Sequence, residues 1–180
     1  HGIRPVREVV ARAERFHAER LAGRFVVAAH VRGLEKQKEQ GDLRQVNDLI
    51  ADELGRRLDA DPDALGFVMS DTVSELERIE RRYPGRIVAT ECQRGEDGIH
   101  FHAADRIEQG REMLVDLLVA AKCDAFIGNG RSNVANAVSY ACTSPAEVVM
   151  MTAYRVFSPS NRPRQPGVSV MPRVETMFRT

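Results

Sequence analysis

Two short stretches of the sequence could hold a phosphorylated ligand between them. His30 and Arg32 close the apolar run at residues 25–31 (FVVAAHV), and being two apart on an extended backbone they point the same way. Much later, the polar loop Gly128-Asn129-Gly130-Arg131-Ser132-Asn133 separates an apolar stretch at 124–128 from a helical pattern. An arginine grips phosphate oxygens in pairs, and the amino end of a helix adds N–H donors and roughly half a positive charge. If the strands ending in these two stretches are neighbours in a parallel sheet, a guanidinium, a hydroxyl and a helix end converge. A diphosphate is the natural guest of such a place.

Other candidates read two ways on residue type alone. Asp71, in Ser70-Asp71-Thr72, is either a helix cap or a ligand contact, and Arg32 is either a phosphate ligand or a salt-bridge partner at a strand end. Asp116 interrupts the apolar MLVDLLVAA, either as an exposed position or as a polar group in a site. The loop resembles the opening of a dinucleotide fingerprint, but Asn133 stands where the third glycine belongs, and no Walker A pattern occurs. His100 and His102, with Cys92 nearby, invite a metal, yet no third and fourth ligand falls at a fitting spacing, and no metal is expected.

The elements that must position these groups follow from hydrophobic periodicity. Helical spacing runs over 6–21, with Pro5 suited to a first turn, and over 43–58, with Asp42 as the expected cap. Buried strands are predicted at 25–31, 66–70, 86–91, 124–128 and 147–153, and helices at 74–83, 108–122 and 133–142. Pro84-Gly85 ends the first of these three helices, and the loop at 93–105 is longer than a simple connector. Strand and helix alternate throughout, which implies right-handed crossovers: an α/β, Rossmann-like open parallel sheet of about five strands with helices on both faces. Residues 1–153 form this domain, and the proline-rich tail at 154–180 is expected to hold no regular core element and to pack on the surface or on a missing domain.

Composition narrows the function. At 180 residues and 43% hydrophobic, the chain can bury one α/β core. Its 26 basic and 26 acidic residues balance, so nothing favours nucleic acid or an anionic membrane surface. The three cysteines, Cys92, Cys123 and Cys142, form no C-x-x-C pair and no disulfide framework, which fits a reducing cytoplasm. No apolar run reaches transmembrane length. The chain starts at His1 rather than Met, as a domain cut from a longer protein would.

Three segments together resemble one family. His30-Val31-Arg32-Gly33-Leu34-Glu35-Lys36 is similar to the H-V-R-R-T-D-K motif of α1,6-fucosyltransferases and the rhizobial nodulation fucosyltransferases. FVMSDTVSELERIERRYPG resembles their F-L-A-T-D-D strand and its helix ending in Y-P, and residues 107–141 resemble their closing helix, strand and serine loop. The resemblance covers residues 25–141 in the family's order and spacing.

It implies the nucleotide-binding, C-terminal half of a GT-B fold, in an inverting, metal-independent transferase with no cofactor and a GDP-sugar, GDP-fucose above all, as donor. Arg32 would bind the diphosphate and offset the charge on departing GDP. His30 and Asp116 would hold guanosine, Asp116 reading the base. Ser132, with the neighbouring loop groups of Asn129, Arg131 and Asn133, would hold phosphate, and Asp71 would lie near the nucleotide. Glu35, at the family's acidic position, would orient or deprotonate the acceptor hydroxyl of a glycan or other acceptor. Gly33 and Leu34 replace the family's second Arg and its Thr, which leaves acceptor and sugar open. A GT-B site closes between two domains, so an N-terminal partner domain is implied. Two other readings stand beside this one: a non-catalytic α/β domain that binds a nucleotide or a protein, and a GT-B transferase using another nucleotide sugar.

Overall fold

The computed structural model describes residues 5–34, 42–96, 105–142, 147–152 and 167–170. Strand β1 (Val26–His30) lies at the centre of the sheet and pairs in parallel with β2 (Leu65–Met69) on one side and β4 (Ala125–Asn129) on the other. With β3 (Ile87–Val88) and β5 (Glu147–Thr152) outside them, and β6 (Gly167–Val170) beyond β5, the order is β3-β2-β1-β4-β5-β6. The first five strands are parallel, as the alternation of elements requires.

Helices cover both faces, which is why the strands read as continuous apolar runs. Val26 and Ala28 of β1, Phe67 of β2 and Phe126 of β4 pack towards α1 (Arg7–Arg20), α4 (Arg106–Ala120) and α5 (Asn133–Ala141), meeting Val9, Ala13, Val119 and Val138. The intervening Val27, Ala29, Val68 and Ile127 face α2 (Leu43–Ala60) and α3 (Val73–Arg82), where Ile50, Leu54, Leu58 and Ile79 close the second core. Neither side of β1 meets water, so no polar alternation survives in its sequence.

The structure departs from the sequence reading at several points, among them β3, which spans two residues rather than 86–91. Asp42 stands at the N-cap of α2 but its side chain makes no capping bond. At α4 an unforeseen cap forms: Asp105 accepts from the N–H groups of Ile107 and Glu108 at 2.9 Å each, and starts the helix two residues early. The proline-rich tail contributes a strand, since β6 pairs antiparallel with β5 from Thr152↔Gly167 to Val149↔Val170. The prolines bar a central strand but leave a four-residue segment between them free to pair along one edge.

Candidate functional site

The topology places the site. From β1 the chain runs outward to β2 and β3, and returns to the other side of β1 as β4, so the strand order reverses between β1 and β4. Helices diverge there, and the carboxyl ends of β1 and β4 open side by side onto a crevice. A cavity of about 260 Å3 lies there, walled by the ends of β1 and β2, the segment after β3 and the amino half of α4. His30 and Arg32 point into it together, as their spacing predicts, and Asp71, Cys92 and Asp116 join them from three other segments.

Asp116 is 6% exposed and lines the cavity, which rules out the exposed-position reading. Thr90 donates its hydroxyl to one carboxylate oxygen, and the Cys92 thiol lies 3.8 Å from the other. Burial pushes the Asp116 carboxyl up to about 6, against the Thr90 hydrogen bond and the nearby Arg94 charge. Burial also pushes the Cys92 thiol up to about 11, with the Asp116 charge adding to it, so the thiol keeps its proton and can donate. Each carboxylate oxygen thus receives one hydrogen bond from the protein and keeps acceptor capacity for a ligand N–H.

His30 is 7% exposed and its Nδ1 has no partner among the described residues. Burial holds the imidazole down to about 4, against the pull of the Asp71 carboxylate and with a smaller push from Arg32. It is therefore neutral at pH 7, one ring nitrogen donating and the other accepting.

The backbone carrying Arg32 is clamped from two sides. Asn47 of α2, fully buried, donates to the Arg32 carbonyl at 2.7 Å and accepts from the Arg32 N–H at 3.4 Å. Asp71 accepts from the N–H of Gly33 at 3.1 Å. Asp71 is therefore tied to the end of β1, while Thr72 takes the N-cap position of α3 without a side-chain bond. Behind Asn47, the buried Glu75 accepts from its amide at 3.1 Å and pairs with Arg44 and Arg78 at 3.0 Å. Sequence reasoning missed Asn47, although a polar residue in the otherwise apolar stripe of Val46, Ile50, Ala51 and Leu54 was the available signal.

The loop after β4 is folded on itself. Gly130 N–H bonds to the Met151 carbonyl, Arg131 N–H to the Asn129 side chain and Ser132 N–H to the Asn129 carbonyl, all at 2.9 Å. Ser132 is 1% exposed and caps α5, accepting from Ala135 N–H at 3.4 Å while its own hydroxyl proton remains available to donate. Asn133 is the first residue of α5, and among the described residues this segment reaches the cavity wall through Val134. Gly128 serves packing: a Cβ there would stand 2.8 Å from Cβ of Ala135, so the glycine lets α5 close on β4. Glu35, His100 and His102 lie outside the described residues, and among those described no cluster could hold a metal ion. Nor, among them, is any helix long and apolar enough to cross a membrane.

The architecture is a Rossmann-like α/β unit with a cavity at the carboxyl ends of its central strands. Among solved structures it is similar to fucosyltransferase NodZ from Bradyrhizobium, with a TM-score of 0.59 and 17% identity over 93% of this chain and 49% of that one. It is likewise similar to NodZ α-1,6-fucosyltransferase co-crystallized with GDP (TM-score 0.57, 17% identity, 92% of this chain and 48% of that one). A third likeness is to POFUT1 in complex with GDP-fucose (TM-score 0.52, 15% identity, 81% and 46%). The fold is thus fucosyltransferase-like, and the chain spans about half the length of these proteins. No protein-family profile matches the sequence, and no curated protein matches it.

Proposed function

We propose that this chain is the nucleotide-sugar-binding half of a fucosyltransferase-like glycosyltransferase. It would transfer a sugar from a GDP-sugar, GDP-fucose first, to an acceptor hydroxyl with inversion. The observation that carries the reading is the convergence of His30, Arg32 and Asp116 on one cavity at the switch point of this fold. Solved structures of the same fold hold GDP or GDP-fucose, which supports the same ligand here.

In this reading the Asp116 carboxylate accepts from the N–H donors on the guanine edge, a pattern that neither uracil nor adenine presents in the same form. Neutral His30 supplies a hydrogen bond to the nucleoside without competing for charge. Arg32 binds the diphosphate from one side, and the amino end of α5, capped by Ser132, faces it from the other. The acceptor oxygen attacks the anomeric carbon as the bond to GDP breaks. The electron pair goes to the leaving phosphate, where Arg32 offsets the growing charge, and no metal is required. Catalysis then rests on positioning and on charge stabilisation at the leaving group. Glu35 is the residue we assign to the acceptor hydroxyl, which it orients and whose proton it takes as the new bond forms.

A melting series tests the assignment. GDP should raise the melting temperature of the chain, by the equivalent of about 2.7 kcal/mol at a hundred times Kd. UDP and ADP should raise it far less, and equal shifts with all three, or none, would overturn the reading.

A further inference from the structure

Most glycines of this chain whose surroundings are defined have an internal reason to be glycine. Gly23 and Gly85 sit at φ of 81° and 73°, where a side chain would be strained. At Gly55 a Cβ would collide with the Tyr83 ring, at Gly66 it would lie 2.9 Å from Cδ1 of Ile87, and at Gly128 2.8 Å from Cβ of Ala135. Gly110 has neither reason. It lies inside α4 with no left-handed φ, and a Cβ there would meet no heavy atom of the described residues within 4 Å. A glycine inside a helix weakens it relative to alanine, and nothing in the fold itself compensates here. Yet Gly110 lines the cavity, on the same face of α4 as Arg106, Gln109, Met113 and Asp116.

That face has an order. Asp116 is the buried one among the α4 residues at the cavity; Gly110 lies six residues towards the amino end, about 9 Å along the axis at 1.5 Å per residue, and Arg106 one turn further. The Asp116 carboxylate, the apolar Met113, the Glu112 carboxylate, the bare backbone at Gly110, Gln109 and the Arg106 cation follow one another along the wall. A nucleotide presents the matching order of base edge, ribose and phosphate. We infer that Gly110 is a specificity-determining position that seats the ribose of the bound nucleotide against bare helix backbone, with Arg106 beyond it on the phosphate side. The inference rests on the nucleotide reading of the cavity proposed above. The empty space over Gly110 is then ligand space: any side chain there would occupy the volume of the sugar ring, while the unliganded fold would accept it readily.

The test compares the chain with its Gly110→Ala and Gly110→Leu variants, by melting temperature without ligand and by calorimetric titration with GDP. Alanine has no clash to meet and restores helix propensity, so the unliganded Gly110→Ala variant should melt about 1–4 °C higher than the parent chain. Its GDP affinity should nevertheless fall by about tenfold or more, the effect of one misplaced methyl in a close-fitting pocket. Gly110→Leu should weaken binding further. A variant that melts several degrees lower would show that the glycine has an internal packing role, and the inference would fail. Where the parent chain binds GDP, unchanged GDP affinity in the two variants would refute the ribose seat and leave the nucleotide reading standing. If the parent chain itself binds no GDP, both fall together.

Discussion

In the proposed GDP site Asp116 is the residue on which selectivity would turn, because it is a buried carboxylate whose two oxygens are each approached by one protein donor and left half free. Its carboxyl titrates near 6, raised by burial. It is therefore ionised above that pH and protonated below it, and a protonated acid offers the guanine edge an O–H donor where an acceptor is needed. GDP affinity should be full above pH 7 and should fall up to tenfold per pH unit below about 6. The terminal phosphate of GDP titrates in the same range, so the Asp116→Asn variant is the control. Titrations of both across pH 5–8 should show a steeper acid loss in the parent chain, and the variant should lose most of its preference for GDP over ADP. Parallel profiles would remove Asp116 from the base contact.

At the scale of the elements, α2 is fitted to its neighbours by two single residues. Asn47 joins α2 to the end of β1 by holding both polar atoms of the Arg32 backbone. Asn47→Ala would strand a buried carbonyl and one side of Glu75, a loss of about 1–3 kcal/mol. It should also weaken GDP binding several-fold, because Arg32 would no longer be aimed. Arg44→Ala, at the solvent-facing side of the same network, should leave GDP affinity unchanged, and equal losses from both variants would mean that Asn47 acts through stability alone. Gly55 of α2 fits differently: the Tyr83 ring lies over it and the Tyr83 hydroxyl donates to the Ala51 carbonyl at 2.8 Å. Gly55→Ala should destabilise the chain, since overpacking costs about 1–3 kcal/mol and exceeds the roughly 1 kcal/mol of added helix propensity. A rise in melting temperature would contradict that contact.

At the scale of the molecule, the cavity is one wall of a site rather than a closed chamber, and the chain spans about half the length of the fucosyltransferases it resembles in fold. A transfer reaction needs an acceptor held in line with the breaking bond and water kept away from it. The chain alone is therefore expected to bind GDP and GDP-fucose with similar affinity, yet to transfer no fucose to added glycans. Activity should appear when the cavity is closed by a partner domain. Isotope-labelled transfer measured with the isolated chain checks this, and turnover by the chain alone would show that one wall is enough.

Much of this architecture was legible before any coordinates. Alternating apolar runs and amphipathic helices dictate a parallel sheet, because only crossovers bury strands that are apolar on both faces, and β1 through β5 follow that pattern. The two-residue spacing of His30 and Arg32 likewise set their shared direction, since strand side chains alternate. What the sequence could not carry were contacts between segments far apart in the chain. Asn47 clamps Arg32, Thr90 donates to Asp116, Asp71 turns back to Gly33, and each of these pairings exists only once the sheet order brings the elements together. Gly128, at the end of β4, had the same fate: it is required by the closeness of α5, a distance between elements with no local signature. Periodicity and short spacing are properties of a chain segment and survive in its letters. Burial, charge state and aim belong to the neighbours a residue acquires, and the tertiary fold alone decided those.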